Sequence, residues 1–472
     1  MIAREALAKF ARSVYHLARW AAALALGVLL VAAMMSPASR SEPVPSGRRE
    51  VIFWHFWGGA DRRVVDDIVD RFNRSQDEHF VRAVAMPGNN LDLKLFLSVT
   101  GGDAPDLVNQ DDPIVADWAH RGMLIPLDEL AGAGEMVELE EWLFPAARKL
   151  GEHDGRLFAL CNGLDIRALY YNQTLLAEHG LSAPRTLAEL DRIAETIAPP
   201  DQTDHARFGY LPDSRRLWAW GVVFGGDFYD EPSGAATLTD PAIGRALEWM
   251  GGYRRRYGGK TIANFRQGDQ ALPGAAFPLL PTGSASPHGR YAVIMDGQWR
   301  VRDIAEASRQ RLADGLPVAE YGVCPLPPPA DGDANAGWVN GNFFLCLRGC
   351  RNPAGAWEFM KFWSGFPATS GDAAKTCADG GWIPVSQRVV DEPAFQDFLA
   401  ARPLFRQFVE LAASPNQEPI PIVPGAAFFD RAVRDAGGDA MQSDNQSPRQ
   451  ILERANSRVN EHLTRRTQGG RP

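Results

Sequence analysis

Cysteine is scarce in this chain: five in 472 residues, at Cys161, Cys324, Cys346, Cys350 and Cys377. None lies near the N-terminus, which excludes lipid attachment at a processed N-terminal cysteine. There is no Cys-x-x-Cys pair and no His/Cys spacing of a metal site, so no zinc or other metal ligand is assigned. An odd count leaves at least one thiol free unless chains pair, even where disulfides are permitted. Also missing are a Gly-x-Ser-x-Gly elbow, a Gly-x-x-x-x-Gly-Lys phosphate loop and a His-Glu-x-x-His helix. No internal repeat or low-complexity tract follows the N-terminal region. Net positive charge is absent too: the formal charge is −9, which argues against a nucleic-acid surface. No motif calls for a cofactor, and none is expected.

The N-terminus is where positive charge gathers. Arg4, Lys9, Arg12 and Arg19 stand against Glu5 alone, and an apolar run extends from Trp20 to Met35. Ser36-Pro37-Ala38 then supplies small residues. A basic n-region, an apolar h-region and small residues in that order describe a secretory signal. The run falls slightly short of the ~20 apolar residues that span a bilayer comfortably. Residues 1–38 are therefore read as a signal peptide, with an uncleaved membrane anchor as the competing reading. Residues 39–49, with Pro43, Pro45 and Gly47, read as a linker. Both readings place the remainder outside the cytoplasm, in the periplasm.

That remainder exceeds one ordinary domain. Apolar residues make up 45% of the chain and tryptophan occurs thirteen times, a high count; surplus tryptophan in an exported protein often lines a carbohydrate site, although tryptophan is also a large core residue. Strands alternate with helices, the pattern of parallel βα units. Val64, Val65, Ile68, Val69 and Phe72 fall at helical spacing, and residues 80–85 alternate as a strand. Short strands are expected at 157–160 and 168–172, flanking a link at Asn162 to Asp165. Further strands are expected at 291–295, 321–324 and 343–347. Helices are expected at 186–197, 241–257, 353–366 and 451–463.

The strand Val51-Ile52-Phe53-Trp54-His55-Phe56-Trp57 runs into Gly58-Gly59 and a helix. Ligands of open α/β sheets bind at the C-terminal ends of strands. Aromatic faces suit the C–H faces of sugar rings, so Trp54, His55 and Trp57 are candidate contacts. Core packing is the alternative, because Phe53 and His55 share one face of the strand and Trp54 and Phe56 the other.

Several stretches, in register from about residue 50 to the last helix, resemble the extracellular solute-binding proteins of sugar ABC transporters, the family 1 group that includes maltose-binding protein. They are Phe53-Trp54-His55-Phe56-Trp57, Gly101-Gly102-Asp103-Ala104-Pro105-Asp106-Leu107-Val108, Ala168-Leu169-Tyr170-Tyr171-Asn172, Met295-Asp296-Gly297-Gln298-Trp299 and Asn352-Pro353-Ala354-Gly355-Ala356-Trp357. The long n-region, the missing lipobox cysteine and extra length between Gly258 and Arg290 set the chain apart. The resemblance implies an α/β, two-lobed, type II periplasmic-binding-protein fold with a ligand cleft between lobes. Lobe 1 would comprise residues 50–161 plus 337–382, and lobe 2 residues 166–330 plus 385–465. Crossovers would fall at Asn162 to Asp165, in Pro325 to Ala336, and near Gly380-Gly381-Trp382.

Site residues carry over motif by motif. Asp165 holds the place of an acidic residue that faces the sugar in relatives, the alternative being a hinge cap. Gln110, Asp111 and Asp112 occupy a loop of polar contacts, although Asp112 also suits a helix cap. Trp299 matches a tryptophan that stacks on sugar, unless it packs under its own helix. Trp218, Trp338, Asn340 and Trp382 complete the candidates, with core packing as the alternative. Phe428 and Phe429 match an aromatic near a late helix. Arg215 and Arg216 depart toward positive charge and leave room for an anionic sugar. The implied function is capture of a sugar or oligosaccharide by a monomeric binder that serves ABC permease subunits. A membrane-tethered sensor and a glycosidase built on paired aspartates such as Asp103, Asp106, Asp111, Asp112 and Asp165 are the rival classes; no catalytic residue is assigned.

Overall fold

The computed structural model describes residues 19–20, 43–86, 91–110, 114–202, 205–270, 272, 277–442 and 446–469. The chain divides into two compact units, residues 1–49 and 50–472. In the first, a turn is closed by the Arg48 N–H donating to Pro45 O at 3.2 Å. Residues 1–18 and 21–42, with most of the apolar run and the expected cleavage region, lie outside the described residues. Among those described, no helix is long and apolar enough to cross a membrane.

A mixed sheet of eight strands organises the second unit. The strands are β1 (Arg49–His55), β2 (His79–Ala85), β3 (Leu107–Gln110), β4 (Ala159–Asn172), β5 (Val293–Gly297), β6 (Tyr321–Cys324), β7 (Gly337–Cys346) and β8 (Gln417–Glu418). Their order is β6-β4-β7-β3-β1-β2, with β5 on β4 and β8 on β7. The parallel units expected from sequence hold for β1 with β3 and for β7 with β8, whereas β7 runs antiparallel to β3 and to β4. Alternation of strands and helices fixes neither partner nor direction when the partner comes from far along the chain.

The expected link at residues 162–165 is not a link. Residues 159–172 form one strand of 14 residues, buried almost throughout. Its first half pairs with β7, from Ala159↔Leu345 to Ile166↔Val339. Its second half pairs with β5 on Arg167 to Tyr171 and with β6 on Leu169 to Asn172. β4 therefore belongs to two sets of strands and changes partners between Ile166 and Arg167. Close approach of β7 depends on Gly341, where a Cβ would stand 2.8 Å from Gly163 O and 2.9 Å from Cys161 Sγ.

Helices follow their patterns. In α1 (Gly59–Ser75) the buried face is Val65, Ile68, Val69 and Phe72, at the i, i+3, i+4, i+7 spacing of an amphipathic helix. Helices α2 (Leu217–Val223), α3 (Pro241–Tyr257), α4 (Arg300–Ala313), α5 (Pro353–Ser364) and α6 (Ala426–Gln442) are those that bear on the site. The Asn352 side chain starts α5 by accepting the Gly355 N–H at 3.0 Å.

One buried carboxylate joins three distant segments. Asp106 is 2% exposed. Its Oδ2 accepts the Ile52 N–H at 2.8 Å, and its Oδ1 accepts those of Arg351 at 2.6 Å and Asn352 at 2.8 Å. Asp106→Ala leaves three backbone donors without acceptors, each costing roughly 1–3 kcal/mol. Urea unfolding is expected to show a loss of about 3–5 kcal/mol, in the range of a broken buried network. Asp106→Asn, which keeps an acceptor oxygen, should lose less.

His55 ends β1 in a closed environment, 1% exposed. Its ring lies 5.5 Å from Phe53 and 5.9 Å from Trp57. Burial, with a contribution from the Arg62 charge, holds its pKa down from 6.5 to about 4. The protonated form is thus disfavoured in the folded chain relative to the unfolded one. The stabilisation from keeping His55 neutral is fully present above pH 6.5 and is withdrawn as the pH falls toward 4. Wild type should lose roughly 2–4 kcal/mol more than His55→Gln across that interval, at ~1.4 kcal/mol per pKa unit. Denaturation midpoints measured at several pH values check this; parallel profiles would assign the acid sensitivity elsewhere.

Candidate ligand-binding site

The change of partners along β4 assembles a polar group. Residues 163, 165 and 167 share one face of the strand, since side chains alternate. Asp165 is paired in register with Asn340 of β7. Gln298, 3% exposed and placed by the end of β5, locks this corner. Its Nε2 donates to Asp165 Oδ1 at 2.7 Å and to Leu164 O at 3.2 Å, while its Oε1 accepts the Ile166 N–H at 3.3 Å. Asp165 stays half-buried, and among the described residues no hydrogen bond occupies its Oδ2. A carboxylate held by one oxygen and open at the other can accept hydroxyl donors.

Arg167 follows on the same face. It is 7% exposed and stacks between two indoles, its Cζ 4.6 Å from the Trp299 ring and 5.0 Å from the Trp338 ring. Arg216, just before α2, lies 5.5 Å from Trp338. Desolvation lowers the pKa of Arg167, and that of Arg216 to about 10. Trp299 covers Gly297, where a Cβ would stand 2.3 Å from the indole; glycine there lets the ring fold down against Arg167. Arg215 differs: it is exposed, and donates through Nε and Nη2 to Asp213 at 3.1 and 2.8 Å. These bonds hold the Asp213 carboxylate at about 2, despite its burial.

A tryptophan panel borders the group. Trp382 stacks on Trp57 at 5.2 Å and on Trp363 at 5.9 Å, and Trp57 stacks on Trp363 at 5.7 Å. Trp382 is half-buried, whereas Trp57 is 7% exposed and belongs to the core. The Trp382 Cβ also approaches Gly163, 3.7 Å from where a Cβ would stand on that glycine. Arg302 on α4 pairs with Asp61 at the start of α1, 3.3 Å apart.

The structure thus brings Asp165, Asn340, Trp299 and Trp338 together, with Trp382 beside them. Trp54 is half-buried on the opposite face of β1 from buried His55, and Gln110 is buried at the end of β3. Trp218 is 2% exposed; its Nε1 donates to Asp430 Oδ1 at 2.9 Å, and its ring lies 5.3 Å from Phe429. Asp111 and Asp112 lie outside the described residues. Sequence reasoning passed over Arg167 and Gln298. Arg167 is two residues from Asp165, so strand alternation alone places it beside that carboxylate; Gln298 was inside a recognised motif. Trp299, Trp338, Asp165 and Arg167 line neither of two large cavities, of about 1100 and 1120 Å³, found elsewhere. The second is lined by Trp218 and by Lys149 and Glu418, which pair at 2.8 Å. Among the described residues, no group of three or more His, Cys, Asp or Glu gathers to hold a metal.

The maltotriose-binding protein of Pyrococcus abyssi is 22% identical over 363 residues, 74% of this chain and 70% of that protein. A probable ABC transporter-binding protein of Deinococcus radiodurans is 25% identical over 311 residues, 64% of this chain and 67% of its own. The sugar-binding protein MalE of Xanthomonas citri superposes with a TM-score of 0.71 at 18% identity, covering 89% of this chain and 98% of that one. The cyclic α-maltosyl-1,6-maltose binding protein of Arthrobacter globiformis gives 0.68 at 22% identity, with 88% and 99% covered. These neighbours share the two-lobed type II periplasmic-binding fold, as the sequence led us to expect. The family model described as bacterial extracellular solute-binding protein matches residues 67–403, and the chain belongs to that family.

Proposed function

We propose that this protein captures a sugar or oligosaccharide at the face formed by Asp165, Asn340, Trp299 and Trp338 and delivers it to the membrane subunits of an ABC transporter. The carrying observation is the half-buried Asp165 carboxylate, fixed by Gln298 and two residues along the strand from Arg167, which the Trp299 and Trp338 indoles flank. Hydrogen-bond acceptors for hydroxyls beside flat apolar faces form the usual chemistry of an orienting, largely apolar ligand site. Relatives named for binding maltotriose and cyclic maltosyl-maltose agree with that chemistry. On this reading residues 50–161 plus 337–382 form one lobe and residues 166–330 plus 385–465 the other. The protein works as an exported monomer behind an N-terminal signal or anchor, without enzymatic turnover.

The reading is tested by a thermal-shift screen of neutral sugars, sugar acids and polyols on the chain from residue 39. A saccharide that raises the melting temperature in proportion to its concentration is expected, and no response to any class would sink the proposal. With a ligand in hand, small-angle scattering should show a smaller radius of gyration at saturation, because contacts to both lobes favour the closed population. Trp299→Ala should weaken binding by roughly 1–3 kcal/mol, the scale of a lost anchor. It should cost less folding stability than Leu345→Ala, a core deletion expected at ~2–5 kcal/mol. Wild-type affinity in a folded Trp299→Ala protein would leave Trp299 to packing alone.

A further inference from the structure

Four buried donor atoms crowd around Trp338 without an acceptor: Arg167 Nε, Arg167 Nη1, Arg216 Nε and Trp338 Nε1 have no hydrogen-bond partner among the described residues. Arg167 forms no ion pair there, and Arg216 approaches Asp213 only at 3.8 Å. Neighbouring carboxylates are already engaged. Asp296 and Asp303 bind Arg300 at 2.8 Å each, Asp213 binds Arg215, and Asp165 accepts from Gln298. Buried polar groups in folded proteins are nearly always satisfied, and an unpaired buried guanidinium is among the most costly exceptions. Stacking on indoles offsets part of that cost, but supplies no acceptor lone pairs. The missing partner is one with several acceptors and negative charge.

We infer that the ligand is an acidic saccharide, a uronate-containing sugar whose carboxylate is taken by Arg167 and Arg216 while its hydroxyls face Asp165. This rests on the sugar-binding reading above and narrows it. A planar carboxylate matches the guanidinium fork, which can donate two parallel hydrogen bonds. Along β4, residues 165 and 167 are about 6.6 Å apart, two strand steps. That separation is on the order of one sugar ring, so one residue can carry the carboxylate near Arg167 and present hydroxyls to the open Oδ2 of Asp165. Trp299 and Trp338 already pack on Arg167, and their rings would keep water from the ion pair.

The test is calorimetric titration of wild type, Arg167→Met and Arg216→Gln with digalacturonate, with maltose as the neutral disaccharide and glucose 6-phosphate as the alternative anion. Methionine keeps an unbranched apolar stem between the two indoles. Removing a buried charge that has no hydrogen-bond partner should not lower the melting temperature of the ligand-free protein. Wild type is expected to bind digalacturonate at least about thirtyfold more tightly than maltose. Arg167→Met should lose at least about thirtyfold in digalacturonate affinity, the low end for truncating one partner of a buried charge pair; Arg216→Gln should lose less. A fall in ligand-free melting temperature in Arg167→Met, with digalacturonate affinity unchanged, would make Arg167 a packing element and overturn the inference. Preference for maltose, or for glucose 6-phosphate over digalacturonate, overturns it too, but leaves the sugar-binding function standing after the first result. Failure of wild type to bind any saccharide overturns both.

Discussion

One strand ties together the sheet of the second unit, and its geometry sets which side chains meet. β4 is hydrogen-bonded to β7 through Ile166 and to β5 from Arg167 onward, so two strand systems share a single backbone. A shared strand cannot slip in either system without breaking the other, because a one-residue shift would turn every side chain to the wrong face. Asp165 and Arg167 stand on either side of the change of partners. Their position is therefore fixed by backbone pairing on both sides. The flanking tryptophans come from β7 and from the end of β5, the strands that meet β4 there. The cluster of Asp165, Arg167 and the two indoles is thus a consequence of the topology rather than an addition to it.

A second constraint acts at the other end of the sheet. Asp106 gathers the N–H groups of Ile52, Arg351 and Asn352, while Asn352 Nδ2 donates to Glu50 O at 3.1 Å. The start of β1, the entry to β3 and the cap of α5 are thereby one object. This explains why an aspartate, which reads from sequence as one of several catalytic candidates, sits in a Pro-Asp-Leu turn. Its oxygens are consumed by backbone donors and none is left for chemistry.

Local signals in the sequence carried well. Helix α3 begins and ends where its periodicity and Pro241 place it, and Thr186 caps the helix that follows it. What did not carry were properties decided by distant residues. The partner of β4 lies some 170 positions away along the chain, so nothing local distinguishes a link at residues 162–165 from a continuous strand. The family resemblance pointed to Asp165 and Trp299, but only pairing and burial reveal that Arg167 lies between Trp299 and Trp338. Tryptophan abundance was the weakest guide. Trp218, Trp220 and Trp363 are enclosed by other rings or bonded to protein, so packing accounts for them without any ligand.

The stack of Trp57, Trp363 and Trp382 has an optical consequence. Indoles 5.2 to 5.9 Å apart and nearly parallel exchange excitation with one another. The three rings then emit and absorb as a coupled set, and a small displacement of any one alters the signal of all. Trp382 is the half-buried member, and its Cβ approaches Gly163, two residues before Asp165 on the same strand face. The second unit therefore carries a set of coupled indoles whose outer ring, Trp382, is half-buried and whose inner rings, Trp57 and Trp363, are held in the core.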